Sequence, residues 1–99
     1  MNCVYCIQES GDGSVKIGWT IGKPIERLIN LQTGNPRQLV LRGVIKTHRA
    51  QHVERLLHEQ ILEHWIRGEW FQPHADVFAA FEAAREQHGA PLAAVAEAC

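Results

Sequence analysis

The sequence predicts a small α+β domain in which a three-stranded antiparallel sheet is covered by helices, in the element order ββαβαα. Two segments with alternating apolar residues, 3–8 and 15–20, are separated by a stretch rich in turn-forming residues. A third alternating segment, 39–46, lies between segments with helical spacing. The chain has 99 residues, of which 45% are hydrophobic, and this supports one domain with one modest core.

The first two segments predict a β-hairpin. Residues 9–13 contain two glycines, a serine and an aspartate, which are common in tight turns. With a two-residue turn, one face of the hairpin is apolar and should contact the core; it carries Val4, Cys6, Val15, Ile17 and Trp19. The other face carries Tyr5, Ile7, Lys16 and Gly18, which places a phenol beside an amine. A three-residue turn would instead separate these two groups.

A helix is predicted after the hairpin. It should begin at Pro24, because proline suits the first turn of a helix. Four residues share one face at helical spacing, namely Ile25, Leu28, Ile29 and Gln32. Arg27 is directed outward, and Gly34 suits the left-handed conformation in which many helices end. The strand at residues 39–46 follows.

The second half of the chain predicts two more helices and a short extended segment. Residues 48–65 should form the longest helix, with a buried face made by Val53, Leu56, Leu57, Ile61 and Trp65. Gly68 interrupts this pattern, and residues 69–71 are expected to be extended. A helix is expected over residues 75–87. Residues 89–99 are expected to form a weaker helical tail behind a domain of residues 1–88.

The charge of the chain is nearly balanced, because the formal net charge is −1 at pH 7. The two halves differ, however: residues 1–50 carry seven Lys and Arg against three Asp and Glu, whereas residues 51–99 carry three against eight. A face built by the first half would attract phosphate. The sequence shows no apolar stretch of about 18–20 residues and no secretory signal, so we expect a cytoplasmic protein without a membrane partner.

The cysteines give little support to a structural zinc site. Cys3 and Cys6 have the spacing of a ligand pair, but a zinc finger needs a second pair nearby, and His48 and His52 lie too far along the chain. Residues three apart on a strand also point to opposite faces. Reduced thiols are therefore expected.

Four short segments occur in an order that indicates a function. They are Val4-Tyr5, Lys16-Ile17-Gly18, the segment from Arg27-Leu28 to Pro36, and Gly68-Glu69-Trp70-Phe71. Over residues 3–80 the chain resembles the GIY-YIG nuclease superfamily, and most closely a compact phage and bacterial subgroup with a KIG second motif and a GEWF segment. The resemblance implies a metal-dependent endonuclease that hydrolyses DNA with a single metal ion, leaving 3′-hydroxyl and 5′-phosphate ends.

The resemblance implies catalytic roles for five residues. Tyr5 and Lys16 would activate water, since a phenol with a pKa of about 10 needs help from a cation or a metal near neutrality. Arg27 would hold the scissile phosphate through two hydrogen bonds. Glu69 would bind one Mg²⁺ or Mn²⁺, weakly unless substrate oxygens complete the site. His58 would assist proton transfer.

Further residues are predicted to contact nucleic acid, in the first instance DNA. They are Gly18, Asn35, Arg42, Arg49 and Arg55. Arg49 and Arg55 belong to a cationic ridge with His48 and His52, a pattern that suits phosphate contacts and a solvated helix face equally well.

The chain departs from the family pattern at three places. Lys16 replaces the second tyrosine, Leu31 stands where many members have a histidine, and Ala83 or Ala84 stands near a common asparagine. These departures favour an alternative, a nucleic-acid-binding or regulatory module without turnover. A third hypothesis is a small phage-type effector that binds a protein through its acidic second half. Each predicted site residue also has a structural alternative as an ordinary strand, helix or surface side chain.

Overall fold

The computed structural model describes residues 2–90, which form a five-stranded antiparallel sheet and three α-helices. The strands are β1 (Cys3–Glu9), β2 (Val15–Thr20), β3 (Leu39–Lys46), β4 (Trp65–Arg67) and β5 (Trp70–Phe71). They lie in the order β3-β1-β2-β5-β4. The helices are α1 (Pro24–Gln32), α2 (Ala50–Gln60) and α3 (Ala75–His88), with a 3₁₀ turn at Leu62–His64. The α+β class is confirmed, whereas the prediction of three strands is wrong.

The two additional strands are too short to show an alternating pattern, because β4 has three residues and β5 has two. They form a small hairpin around Gly68, whose φ is +54°. β5 then pairs with β2, so that Lys16 lies opposite Trp70 and Val15 lies opposite Phe71. This pairing brings residue 69 beside the first hairpin.

The predicted faces of the first hairpin are confirmed. Tyr5 pairs with Gly18, and Ile7 pairs with Lys16. The loop contains residues 10–13 and is closed where the Glu9 amide donates to the Ser14 carbonyl at 3.0 Å. This four-residue loop gives the same division of side chains as a two-residue turn, because both hold an even number of residues.

The main core lies between one face of the sheet and helices α2 and α3. Val4, Val15 and Ile17 are fully buried there, together with Leu57 from α2 and residues of α3. Burial raises the pKa of the Cys6 thiol to about 12, so this cysteine stays protonated in the core. The apolar face predicted for the hairpin is therefore the core face.

Helix α1 covers the opposite face of the sheet. It starts at Pro24, and Gly34 has a φ of +78°, both as predicted. The predicted apolar face is wrong in part, because Ile25 and Ile29 are exposed. Leu28 and Leu31 instead pack on a small cluster of Tyr5, Ile7 and Leu39. Two inward leucines are enough for this thin layer, and the isoleucines flanking them are left on the solvent side.

The helix predicted over residues 48–65 is shorter in the structure. α2 ends at Gln60 and has 11 residues, so the prediction that it is the longest helix is wrong. Among the described residues the longest helix is α3, which has 14 residues and lies close to its predicted bounds. Trp65 belongs to β4, where its indole N–H donates to the Gly68 carbonyl at 2.9 Å and closes the small hairpin. Leu56 and Trp65 are exposed, so they do not extend the buried face of Val53, Leu57 and Ile61.

The predicted C-terminal tail lies almost entirely outside the described residues. Among residues 2–90, no helix has the length and apolar character needed to cross a membrane.

Candidate active site

The centre of the candidate site is Gly18, because only a glycine leaves room there. A Cβ atom on residue 18 would overlap the phenol of Tyr5, whose Cζ atom would be 2.6 Å away, and would lie 3.0 Å from Oε1 of Glu69. The absence of a side chain at this position therefore lets the Tyr5 hydroxyl and the Glu69 carboxylate approach each other across β2. Gly18 is in this sense a structural requirement of the site.

Lys16 and Glu69 form an ion pair beside this position. The Lys16 Nζ atom lies 3.0 Å from Glu69 Oε1, and the exposed fractions of the two side chains are 11% and 37%. The Ile17 amide donates to the Glu69 carbonyl at 3.1 Å, which fixes the main chain at residue 69. Lys16 also lies 5.5 Å from the ring centre of Trp70. Lys16 is thus held beneath the surface, and Glu69 reaches the solvent.

Arg27 reaches the same place from helix α1. Its Nε–H donates to the Tyr5 hydroxyl oxygen at 3.4 Å. This hydrogen bond, together with the nearby charge of Glu69, raises the pKa of Arg27 above its ordinary value. Arg27 is exposed as predicted, whereas Tyr5 is 1% exposed. The structure therefore brings together Tyr5, Lys16, Arg27 and Glu69, with the first two lying deeper than the others.

The structure adds Glu54, a residue that the sequence analysis missed. Burial is the main cause that raises the pKa of Glu54 to about 7, followed by the charge of Glu69 and a hydrogen bond to that carboxyl. Its Oε2 atom is buried and has no donor partner among the described residues. The available signal was its spacing, since Glu54 lies four residues before His58 and so on the same face of α2.

His58 lies between Glu54 and the strand that carries Lys16. Its Nε2 is 2.8 Å from the Ile17 carbonyl oxygen and 3.9 Å from Oε1 of Glu54. Because a carbonyl only accepts, Nε2 carries the hydrogen. The ring also contacts Phe71 edge to face, with centroids 5.0 Å apart. These contacts hold His58 against β2 and β5 and next to the Glu54 carboxyl.

The other predicted contact residues are dispersed. Arg55 lines a surface groove of about 540 Å³ together with Glu54 and His58, and Arg49 is exposed just before α2. Asn35 accepts a hydrogen bond from the Arg37 amide at 2.9 Å and shapes the loop after α1. Arg42 donates to Gln8 at 2.8 Å and lines a different groove with Phe78. Arg55 therefore lies near the site, whereas Arg42 lies on the α3 side of the sheet.

A family model identifies the chain. The T5orf172 domain matches residues 2–86, which is most of the sequence. The chain belongs to the T5orf172 domain family. This domain occurs in phage and bacterial homing-endonuclease-like proteins, a coarser assignment than the GIY-YIG resemblance. No curated protein and no solved structure was found to match the T5orf172 chain.

Proposed function

We propose that this T5orf172 protein is a metal-dependent endonuclease of the GIY-YIG type that hydrolyses DNA. The supporting observation is that a phenol, an amine, a guanidinium and a carboxylate from four separate segments meet around Gly18. An ion pair with one buried partner, such as that of Lys16 and Glu69, must offset the cost of removing a charge from water and is often no better for stability than an apolar pair. Its presence is therefore better explained by chemistry than by folding.

Arg27 would bind the scissile phosphate. Its side chain is exposed on α1, and its guanidinium can donate two parallel hydrogen bonds to phosphate oxygens. In the transition state it would stabilise the negative charge that develops on those oxygens. As the guanidinium turns toward phosphate, the phenol oxygen of Tyr5 would become available to water.

Glu69 and Glu54 would together hold the Mg²⁺ or Mn²⁺ ion. Hard divalent ions prefer oxygen ligands. The two carboxyls are close enough for Glu69 to add to the effect of burial in raising the pKa of Glu54. The buried Oε2 of Glu54 lacks a donor among the described residues, as expected of a group that a cation would compensate. When bound, the ion would polarise the phosphate and neutralise part of its charge.

Tyr5 and Lys16 would deprotonate and position the attacking water. Tyr5 and Lys16 lie on the same face of the hairpin, as this shared role requires. His58 would orient the Glu54 carboxyl, because the Ile17 carbonyl holds its ring beside that group. In this scheme His58 is a positioning residue and does not contact the substrate.

The test is cleavage of a supercoiled plasmid with Mg²⁺ or Mn²⁺. We expect nicking by the parent protein, reduced about 10²–10³-fold in Arg27→Ala and in Glu69→Gln. The matched controls are Arg85→Ala and Glu82→Gln, which break an exposed ion pair on α3 and should cut normally. Failure of the parent protein to cut, or undiminished cutting by Arg27→Ala, would overturn the proposal.

A second candidate is a DNA-binding module without turnover. The observation that favours it is the engagement of the candidate catalytic groups with one another, since Lys16 pairs with Glu69 and Tyr5 is almost fully buried. Such a module would bind DNA with an affinity that falls steeply with salt and would leave the plasmid intact. Measuring binding and nicking in the same salt series distinguishes the two candidates.

A further inference from the structure

We propose that His64, His74 and Asp76 bind one divalent transition-metal ion of the zinc type. This site is separate from Glu54 and Glu69 and does not depend on the proposed nuclease activity. The potential ligand atoms of the three residues all lie within 4.8 Å of one another. His64 ends the 3₁₀ turn, and the other two residues lie at the start of α3.

The observation that points to a ligand is the environment of His64. This residue is 9% exposed, and its Nε2 atom is buried without a hydrogen-bond partner among residues 2–90. Buried polar atoms normally have partners, so an unpaired ring nitrogen calls for a proton partner or an ion. Oδ2 of Asp76 lies 3.5 Å from this nitrogen, and Oε1 of Glu63 lies 3.6 Å from it.

These separations suit a common metal ion. Two ligands bound to zinc at about 2.0–2.1 Å in tetrahedral geometry are roughly 3.3 Å apart, close to the distances between His64 and the two carboxylates. Imidazole nitrogens favour zinc, nickel, cobalt and copper over magnesium. Glu63, His64 and Asp76 also line one surface depression of about 350 Å³, which leaves room for an ion and a water ligand.

His74 must turn to complete the site. Its ring is stacked on that of His64, with centroids 4.1 Å apart and an angle of 18° between planes, and two stacked rings cannot direct their lone pairs at one ion. The His74 side chain is 50% exposed, so rotation is sterically open to it. Its Nδ1 accepts the Asp76 amide at 3.0 Å and caps α3. A neutral imidazole has one lone pair, so this hydrogen bond would be exchanged for the metal when His74 turns.

The site would clamp the base of the hairpin that carries Glu69. Residues 64 and 74–76 flank β4 and β5, and the Gln72 amide donates to the His64 carbonyl at 2.8 Å. A metal bound across these positions would join the end of the 3₁₀ turn to the start of α3. The ion would then restrict the motion of the hairpin at its open end.

The test is metal binding by the metal-stripped full chain without a histidine tag. We expect calorimetry to show one equivalent of Zn²⁺ bound in the presence of excess Mg²⁺, and Co²⁺ to give the visible absorption of a tetrahedral complex. Asp76→Asn should weaken Zn²⁺ binding at least tenfold, and His64→Gln should abolish it. The exposed Asp76→Asn keeps the test valid if the buried His64→Gln does not fold.

Two controls separate this site from others. Glu69→Gln should bind Zn²⁺ as the parent does, even if it has lost every nuclease property. His52→Ala removes a histidine elsewhere on the surface and should also leave binding unchanged. No saturable Zn²⁺ binding, or binding that is the same in Asp76→Asn, would overturn the proposal and leave the cluster as a histidine–carboxylate ion pair.

Discussion

The two faces of the sheet are built from the same strands and differ in what covers them. On one face, α2 and α3 bury a continuous apolar cluster that includes Val4, Ile17 and Leu57. On the other face, α1 packs through Leu28 and Leu31 on a cluster of only three buried residues, one of which is Tyr5. The first face therefore provides most of the stability, and the second face is free to hold polar groups.

The difference shows how a chain of this size can accommodate a costly site. Lys16 is 8% exposed and Tyr5 is 1% exposed. The Tyr5 hydroxyl lies at the position opened by Gly18, and the Lys16 ammonium pairs with Glu69 beside it. Burying a hydroxyl or an ammonium costs free energy unless a hydrogen-bond or ion-pair partner lies beside it. The larger apolar core between the sheet and helices α2 and α3 offsets this cost.

The largest expected effect is a loss of stability in the core beneath α2 and α3. Leu57→Ala should lower the free energy of unfolding by about 2–5 kcal/mol, because it leaves a cavity in a fully buried cluster. Leu31→Ala, under α1 on the other face, should cost about half as much or less, since Leu31 is only partly buried. Urea unfolding of both variants measures this difference. Equal losses would mean that the two faces contribute alike.

The next effect separates activity from stability. Arg27→Ala should slow plasmid cleavage by raising its activation free energy by about 3–4 kcal/mol. It should lower the free energy of unfolding by about 1 kcal/mol or less. The physical reason is that Arg27 is exposed and makes one long hydrogen bond to Tyr5. Cleavage rates and urea unfolding on the same preparations give both numbers. A loss of stability as large as that of Leu57→Ala would show that Arg27 mainly stabilises the fold.

A smaller effect concerns the pH dependence of Glu54. Its pKa is raised from an ordinary 4.5 to about 7, so between these values the folded state holds a proton that the unfolded state has released. The resulting stability is present below pH 4.5 and is lost as pH rises through 7. Glu54→Gln should remove this dependence and be more stable than the parent at pH 8, by about 2 kcal/mol.

Unfolding curves at pH 5 and pH 8 check this expectation, with Glu82→Gln as a control because Glu82 is exposed. In the parent protein, Mg²⁺ should recover part of the stability at pH 8 if the ion binds this carboxyl pair. A Glu54→Gln variant with the same pH profile as the parent would show that the carboxyl titrates normally.

The smallest effect is expected on the outer side of α1. Ile29 is 61% exposed, so Ile29→Ser should change the free energy of unfolding by about 0.5 kcal/mol or less. Serine and isoleucine have similar helix propensities, so the helix itself should persist. Thermal unfolding measures the change. A loss of several degrees would mean that this side of α1 is covered in solution.

Much of the fold was accessible from local patterns. The first hairpin, α1, β3 and α3 follow from alternation, helical spacing and the turn residues between them. Residues 69–71 were predicted to be extended and contain β5, but the pairing of β5 with β2 and the strand β4 could not be predicted, because these short strands are formed by pairing with distant partners. The same dependence on distant partners explains why Trp65 leaves the predicted helix.

The candidate site was accessible only through motif order. Tyr5, Lys16, Arg27 and Glu69 were predicted from their segments, and the structure places them together. Glu54 was missed because a helical glutamate four residues before a histidine is a common pattern. Its raised pKa arises from burial first and then from Glu69, fifteen residues away in sequence, and neither can be read from the local sequence. Arg42 was predicted from its charge alone and lies with Gln8 on the opposite side.

The order of the strands also determines when the site can first exist. β1, β2 and α1 lie within the first third of the chain, whereas Glu69 reaches Lys16 only after β5 has paired with β2. A nascent polypeptide still ending before that hairpin would hold the phenol, the amine and the guanidinium without the acid. For the proposed nuclease, the order of the segments would therefore delay cutting until β4 and β5 have been synthesised and β5 has paired with β2.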